Sequence, residues 1–185
     1  MMDYHELMII GTGGRGVLLI GRLLLEAGIN KYKHALFFPN YAPAMRGGES
    51  ECTVILSNYY INTPVKFHPN FALVMTSSSL QLIEERIKSG GSLILDGSVI
   101  PDEIKRNDIK IYRIPATEKA VKLGGNQAAN MVLLGAYLEC TKAISLNYVE
   151  DALDRRLQEE SKKPILALNK MALKEGAKLM ANCMS

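Results

Sequence analysis

Cysteine is scarce in this chain: there are three, at positions 52, 140 and 183, with no C-x-x-C pair and no histidine close to any of them. That excludes a disulfide scaffold and the usual zinc spacings, and it predicts reduced thiols. Charge of one sign is scarce too, since 22 Lys and Arg stand against 19 Asp and Glu, leaving a net +3. A nucleic-acid binder concentrates basic charge on one face and uses aromatic side chains to stack on bases; here the charge is dispersed and 6% of residues are aromatic, so no nucleic-acid partner is expected. No apolar run approaches the ~20 residues that span a bilayer, and Arg22 and Glu26 cut the most apolar helical stretch, so no membrane span is expected. Asp3, His5 and Glu6 precede the first apolar run where an export signal would carry basic charge, which predicts a cytoplasmic chain. Also missing are a G-x-S-x-G elbow, a G-x-x-x-x-G-K-[ST] loop and any nucleophile paired with a base, so no complete enzyme is legible.

What is present fits one folded domain over residues 1–185, with 48% hydrophobic and 22% charged residues. Leu7 to Ile10 is an apolar run ending at Gly11, which predicts a buried central strand. A helix is predicted from Gly14 to Gly28, with Arg15, Arg22 and Glu26 on one narrow arc. His34 to Phe38 reads as a strand, and Pro39 to Pro43 as the start of a loop running to Gly48. The β-branched run at Glu51 to Leu56, a turn at Ser57-Asn58 and Tyr59 to Ile61 predict an antiparallel hairpin. Phe71 to Met75, Ser92 to Leu95 and Ile109 to Ile114 read as further strands, the last at an edge. Ser78 and Gln81 form a capping-box pattern for a helix carrying Leu80, Ile83 and Ile87 inward, stopped at Gly90-Gly91. Helices are predicted over Asn126 to Cys140, over Tyr148 to Gln158, and from Pro164 with Ile165, Leu168, Ala172 and Leu179 on one face. This alternation predicts an α/β fold: a three-layer, largely parallel, Rossmann-like sheet with an antiparallel hairpin.

Three segments could carry chemistry. Gly11-Thr-Gly-Gly-Arg-Gly16 satisfies G-x-G-x-x-G between a buried strand and a helix. There Gly11 suits the tight turn, Gly13 an approaching phosphate and Gly16 close helix packing, while the exposed amides and the helix dipole favour an anion. Thr12, Gly14 and Arg15 complete that loop. Against a dinucleotide, residues 30–40 hold no Asp or Glu for a ribose hydroxyl. The second segment is Tyr41 to Ser50, where Arg46 could clamp a carboxylate or phosphate and Gly47 and Gly48 let a ligand or partner chain lie on the backbone, or where Arg46 simply holds its own loop. The third is Gly124 to Asn130: Asn126 is the natural N-cap, and Asn130, four residues on, needs a hydrogen-bond partner, more often a neighbouring backbone group than a ligand. His5, His34 and His68 cluster with no acid or cysteine and are assigned no role, and the charges at Arg155, Arg156, Lys162 and Lys163 read as a solvated face.

Five stretches together resemble the gamma subunit of the 2-oxoacid:ferredoxin oxidoreductases, the pyruvate/ketoisovalerate oxidoreductase gamma family. They are Ile10 to Val17, Met45 to Gly48 followed by Thr53 to Ser57, Gly90 to Asp96, Gly125 to Gly135, and Asn169 to Gly176. Arg15 stands where the family often has Gln, and Asn70 where it often has Asp. The resemblance implies a subunit, inactive alone, of a complex that oxidatively decarboxylates a 2-oxoacid with coenzyme A to acyl-CoA and CO2 and passes electrons to ferredoxin. Among oxoacids, 2-oxoglutarate is expected first, then pyruvate, indolepyruvate or the branched-chain acids. Coenzyme A is implied as cosubstrate, while thiamine diphosphate, Mg and iron–sulfur clusters are implied for partner subunits and none for this chain alone. The implied partners are alpha and beta subunits, with a delta subunit and a homodimer as further options. By the same resemblance, no residue of this chain is catalytic, and Gly11, Thr12, Gly13, Gly14, Arg15, Gly16, Arg46, Gly47, Gly48 and Asn126 are the candidate cofactor-binding residues. Two other readings stand beside it: a free-standing nucleotide-binding or sensor module, and a subunit whose glycine turn touches only protein.

Overall fold

A computed structural model describes residues 3–41, 48–62, 68–100 and 104–185. Six strands form one sheet: β1 (Tyr4–Thr12), β2 (His34–Tyr41), β3 (Glu49–Ser57), β4 (Phe71–Val74), β5 (Ser92–Asp96) and β6 (Lys110–Ile114), in the order β2-β3-β1-β4-β5-β6. β1, β4, β5 and β6 pair in parallel, and β3 lies antiparallel to both β1 and β2. Five strands therefore point one way, with β3 alone against them.

Among the described residues six α-helices, α1 (Val17–Gly28), α2 (Ser77–Glu84), α3 (Ala116–Leu123), α4 (Ala129–Thr141), α5 (Leu146–Arg156) and α6 (Lys163–Met184), complete three unequal layers. Alternation along the strands divides the core. Leu7, Ile9, Leu73, Ile94 and Ile114 face α1 and α3 to α6, while Met8, Ile10, Val74 and Leu95 face α2 with Ile87 and Ile100. α4 lies deepest, buried at every position from Ala129 to Leu138, so its sequence is apolar all round and carries no amphipathic stripe. No helix among the described residues is long and apolar enough to cross a membrane.

The fold class expected from the sequence is present, but several of its parts lie elsewhere. The antiparallel hairpin is β2–β3, from His34 opposite Ser57 to Tyr41 opposite Ser50, and Tyr59 to Ile61 form no strand. β2 runs through Pro39 because it is an edge strand, where a missing N–H costs no ladder bond on the open side. α1 begins at Val17, since the left-handed Gly14 and Gly16 hold the chain out of the helix before that point. The capping box is not formed: Thr76 precedes the first turn of α2 and its hydroxyl meets that of Ser79 at 2.6 Å. Asn126 is not an N-cap but opens a single 3-10 turn, with Gly125 before it, and α4 starts three residues later. On α6, Ile165 is exposed, and the inward face is Leu168, Ala172, Leu173, Gly176 and Met180. Leu80, Ile83 and Ile87 do point inward as expected.

Candidate functional site

β1 leads through α1 to one side of the sheet and β4 leads through α2 to the other, with the two helices on opposite faces. The strand order thus reverses between β1 and β4, and the crevice beyond their carboxyl ends is where open α/β sheets bind ligands. A cavity of about 280 Å³ opens there. Gly13, Gly14 and Arg15 come to it from the turn after β1, Met75 from the end of β4, Asp96 from the end of β5, and Asn126, Gln127, Ala129, Asn130 and Leu133 from the 3-10 turn and the start of α4.

The candidate residues divide around it. Gly13, Gly14, Arg15 and Asn126 line the cavity. Thr12 and Gly16, with the other side of Gly14, line a second hollow of similar size beside Val17 and Ser50. Two amides of the turn are already engaged, Gly13 N–H with the Gly48 carbonyl at 3.0 Å and Arg15 N–H with the Thr12 carbonyl at 3.3 Å. The anion-binding capacity read from the glycines is smaller by those two donors. Gly11 serves no turn: it is still in β1, and a Cβ on it would sit 2.9 Å from that of Met75. Gly16 does not pack on the sheet. It faces Asn130, whose Nδ2 would lie 2.1 Å from an added Cβ. Arg46 and Gly47 lie outside the described residues.

Gln127 and Ala129 lie within the third segment but carry no role of their own there, and Met75, Asp96 and Leu133 lie in none of the three segments. Asp96 had a signal, an acid ending an apolar parallel strand, which places a carboxylate at the ligand end of the sheet. It is 2% exposed and accepts from the backbone N–H of Ser98 at 3.0 Å, of Ala116 at 3.1 Å and of Thr117 at 3.1 Å, and from the Thr117 hydroxyl at 2.5 Å. Its charge is thereby committed to the first turn of α3 and the floor of the cavity, where a carboxylate suits a helix N-terminus. Replacing it with Ala strands these donors at once. We expect Asp96→Ala to lose about 3 kcal/mol or more in chemical denaturation, since bonds to charged groups contribute roughly 1.5–3 kcal/mol each; a loss below about 1 kcal/mol would show that the α3 turn does not depend on this carboxylate.

Asn130 departs from expectation in another way. It is 7% exposed, and among the described residues its Oδ1 has no hydrogen-bond partner, from the backbone or elsewhere. Of the other sulfur and imidazole groups, Cys52 is inert as a nucleophile, because burial and then the Glu51 charge push its thiol up to about 12. His5 is buried edge-on against Tyr32. Arg156 pairs with Glu26, and Lys162 with Glu159 at 2.8 Å.

Comparison with known proteins gives the arrangement a context. A family model described as pyruvate ferredoxin/flavodoxin oxidoreductase matches residues 6–179. The 2-oxoglutarate synthase subunit KorC of Methanothermobacter thermautotrophicus is 34% identical over 155 residues, covering 80% of this chain and 82% of that protein. Among solved structures, the gamma subunit of a keto/oxoacid ferredoxin oxidoreductase from Geobacter sulfurreducens superposes with a TM-score of 0.82 at 26% identity, covering 96% of this chain and 99% of that one. The 2-oxoglutarate:ferredoxin oxidoreductase of Magnetococcus marinus, with 2-oxoglutarate, coenzyme A and succinyl-CoA bound, shares the fold with a TM-score of 0.88 at 22% identity, over 98% of this chain and 32% of that chain.

Proposed function

Because the chain belongs to the pyruvate ferredoxin/flavodoxin oxidoreductase family and is a gamma-type subunit of a 2-oxoacid:ferredoxin oxidoreductase, we propose that it binds coenzyme A at the crevice between β1 and β4 for a complex acting on 2-oxoglutarate. The observation that carries the coenzyme A reading is the meeting of the glycine turn, Arg15 and the start of α4 around one cavity at the point where the sheet reverses. A guanidinium beside backbone amides and a helix start suits phosphates, and Met75, Ala129 and Leu133 supply apolar wall for the rest of the cofactor. The KorC name of its relatives supports 2-oxoglutarate over pyruvate or the branched-chain oxoacids. Decarboxylation and electron transfer belong to alpha and beta partners carrying thiamine diphosphate, Mg and iron–sulfur clusters, with ferredoxin as acceptor. Three cysteines are one short of the four thiolates a cluster ordinarily takes. The free-standing nucleotide module is not favoured, since the family is one of multisubunit enzymes. β3 also separates β1 from β2, which removes the neighbouring strand end that holds a ribose in dinucleotide folds.

In the assembled complex, Arg15→Glu is expected to raise the KM for coenzyme A roughly tenfold, the size of one hydrogen bond to a charged group, and to leave the KM for 2-oxoglutarate unchanged. An unmoved coenzyme A KM would favour a subunit that only holds its partners. Faster acyl-CoA formation from pyruvate than from 2-oxoglutarate would overturn the substrate assignment.

A further inference from the structure

The backbone phase of β2 shows what its outer edge can take. At the two ends of the β1–β3 pair the Gly13 N–H donates to the Gly48 carbonyl at 3.0 Å and the Asn58 N–H to that of Asp3 at 2.9 Å. Even-numbered residues of β3 therefore turn their backbone groups toward β1, and odd-numbered ones toward β2. Carried across the β2–β3 register, His34, Leu36, Phe38 and Asn40 bond to β3, while Ala35, Phe37 and Pro39 turn their groups outward. β2 ends the sheet, and among the described residues no strand pairs with it on that side. Pro39 fits this phase, since its missing N–H falls on the open side. Ala35 and Phe37 each keep a donor and an acceptor there.

The opposite edge of the sheet is guarded by shortness and charge, for β6 has five residues and carries Lys110 and Arg113. β2 has eight, none of them Lys, Arg, Asp or Glu. Its one guard, Pro39, stands in the carboxyl half. Such an edge accepts another strand, and the pattern suits a second copy of itself. An antiparallel pair about a two-fold axis at Leu36 sets Ala35 of each copy against Phe37 of the other, so open donors meet open acceptors with no bond asked of Pro39. On one face of that pair Leu36 meets its own copy and His34 lies opposite Phe38, an apolar and an aromatic cross-strand match. All three side chains are partly exposed. Tyr60, 78% exposed, stands edge-on to the His34 ring at 6.0 Å and adds a further aromatic at that end of the strand. With no charged side chain on the strand, two identical edges meet without repulsion.

We propose that this chain pairs with a second copy of itself along β2, joining two six-stranded sheets into one. The contact is short, so a dimer with a micromolar dissociation constant is expected, at the weak end of specific interfaces. The pairing does not depend on the coenzyme A reading.

The test uses the full chain, alone and in the assembled oxidoreductase. By light scattering over a dilution series, the parent chain is expected to pass from dimer to monomer at micromolar concentration. Ala35→Pro removes one outward N–H and no bond to β3, as Pro39 already does, and Leu36→Lys sets two like charges against each other on the axis. Each is expected to weaken the dimer at least about tenfold, and the second serves should the first fail to fold. Register is read by cross-linking in a Cys183→Ser background, because that native thiol is exposed. Under mild oxidant Leu36→Cys is expected to give a covalent dimer both alone and in the assembled enzyme, since residues opposed in a non-hydrogen-bonded pair bring their side chains within disulfide range; Phe38→Cys, displaced from its own copy, is expected to give none. A parent chain that stays monomeric overturns the proposal, as does a dimer that neither edge variant weakens. Loss of companion subunits from Ala35→Pro, with the isolated parent chain monomeric, also overturns it and gives the edge to a companion strand.

Discussion

Gly176→Ala is expected to destabilise the chain, although glycine to alanine inside a helix ordinarily stabilises by about 1 kcal/mol. The reason lies in how closely α4 and α6 approach. A Cβ at Gly176 would sit 1.9 Å from the carbonyl oxygen of Val132, and one at Gly135 would sit 1.9 Å from that of Leu173. Each collision is with backbone, so no side chain can rotate aside, and the helices have to separate along a contact more extensive than that of any other pair of elements. Forcing extra volume into a packed core costs about 1–3 kcal/mol, occasionally more. At about 3 kcal/mol against a propensity gain near 1, the net loss is about 2 kcal/mol, or roughly 4–8 °C in melting temperature for a domain of this size. Gly21→Ala is the comparison. Its Cβ would meet the ring edge of Phe37 at 2.5 Å and the Cys52 sulfur at 2.8 Å, side-chain atoms that can yield, so its cost is expected to be smaller. Thermal melts of the three proteins decide the matter, and a Gly176→Ala variant that melts higher than the parent would show that these glycines do not set the helix spacing. α4 also carries Asn130 and Leu133 to the cavity, so a shift of this helix should register in coenzyme A binding as well as in stability.

Those two glycines mark how far a sequence can be read. Gly135 and Gly176 close two of the five stretches that carry the family resemblance, yet neither periodicity nor turn chemistry gives them a reason, because the reason is a long-range contact between helices some forty residues apart in the chain. The strands were legible where burial on both faces made them continuously apolar, as at Leu7 to Ile10 and Ser92 to Leu95. The hairpin was misplaced because Pro39 reads locally as a breaker, and only the sheet order reveals that it sits on an edge strand where it is tolerated. Half of the site was legible in the same sense. The glycine turn is a local motif and could be found, while Met75, Asp96 and Leu133 reach the cavity from three separate elements whose convergence is a property of topology. Asn130 stands out in its apolar company, but the lack of a partner for its Oδ1 among the described residues is a fact about packing that no spacing rule contains.

The glycine turn supplies its own control for the opposition of Gly16 to Asn130, because Gly14 and Gly16 both have a left-handed φ, +85° and +79°, in different surroundings. Alanine at either position takes on the strain of a left-handed residue, about 1–2 kcal/mol. At Gly14 nothing lies within 4 Å of the added Cβ, so strain is the whole cost. At Gly16 the Cβ falls 2.1 Å from the Asn130 Nδ2, and the carboxamide has to leave its place, which adds an overpacking cost of about 1–3 kcal/mol. Gly16→Ala is therefore expected to be the less stable of the two by about 1–3 kcal/mol. Replacing Asn130 with Ala in the Gly16→Ala background removes the collision, so the double variant should recover the extra loss of stability, a non-additivity measurable in a double-mutant cycle. Equal stability of the two alanine variants, or a double variant with no recovery, would mean that Gly16 is glycine for its backbone alone and that the opposition to Asn130 carries no energy.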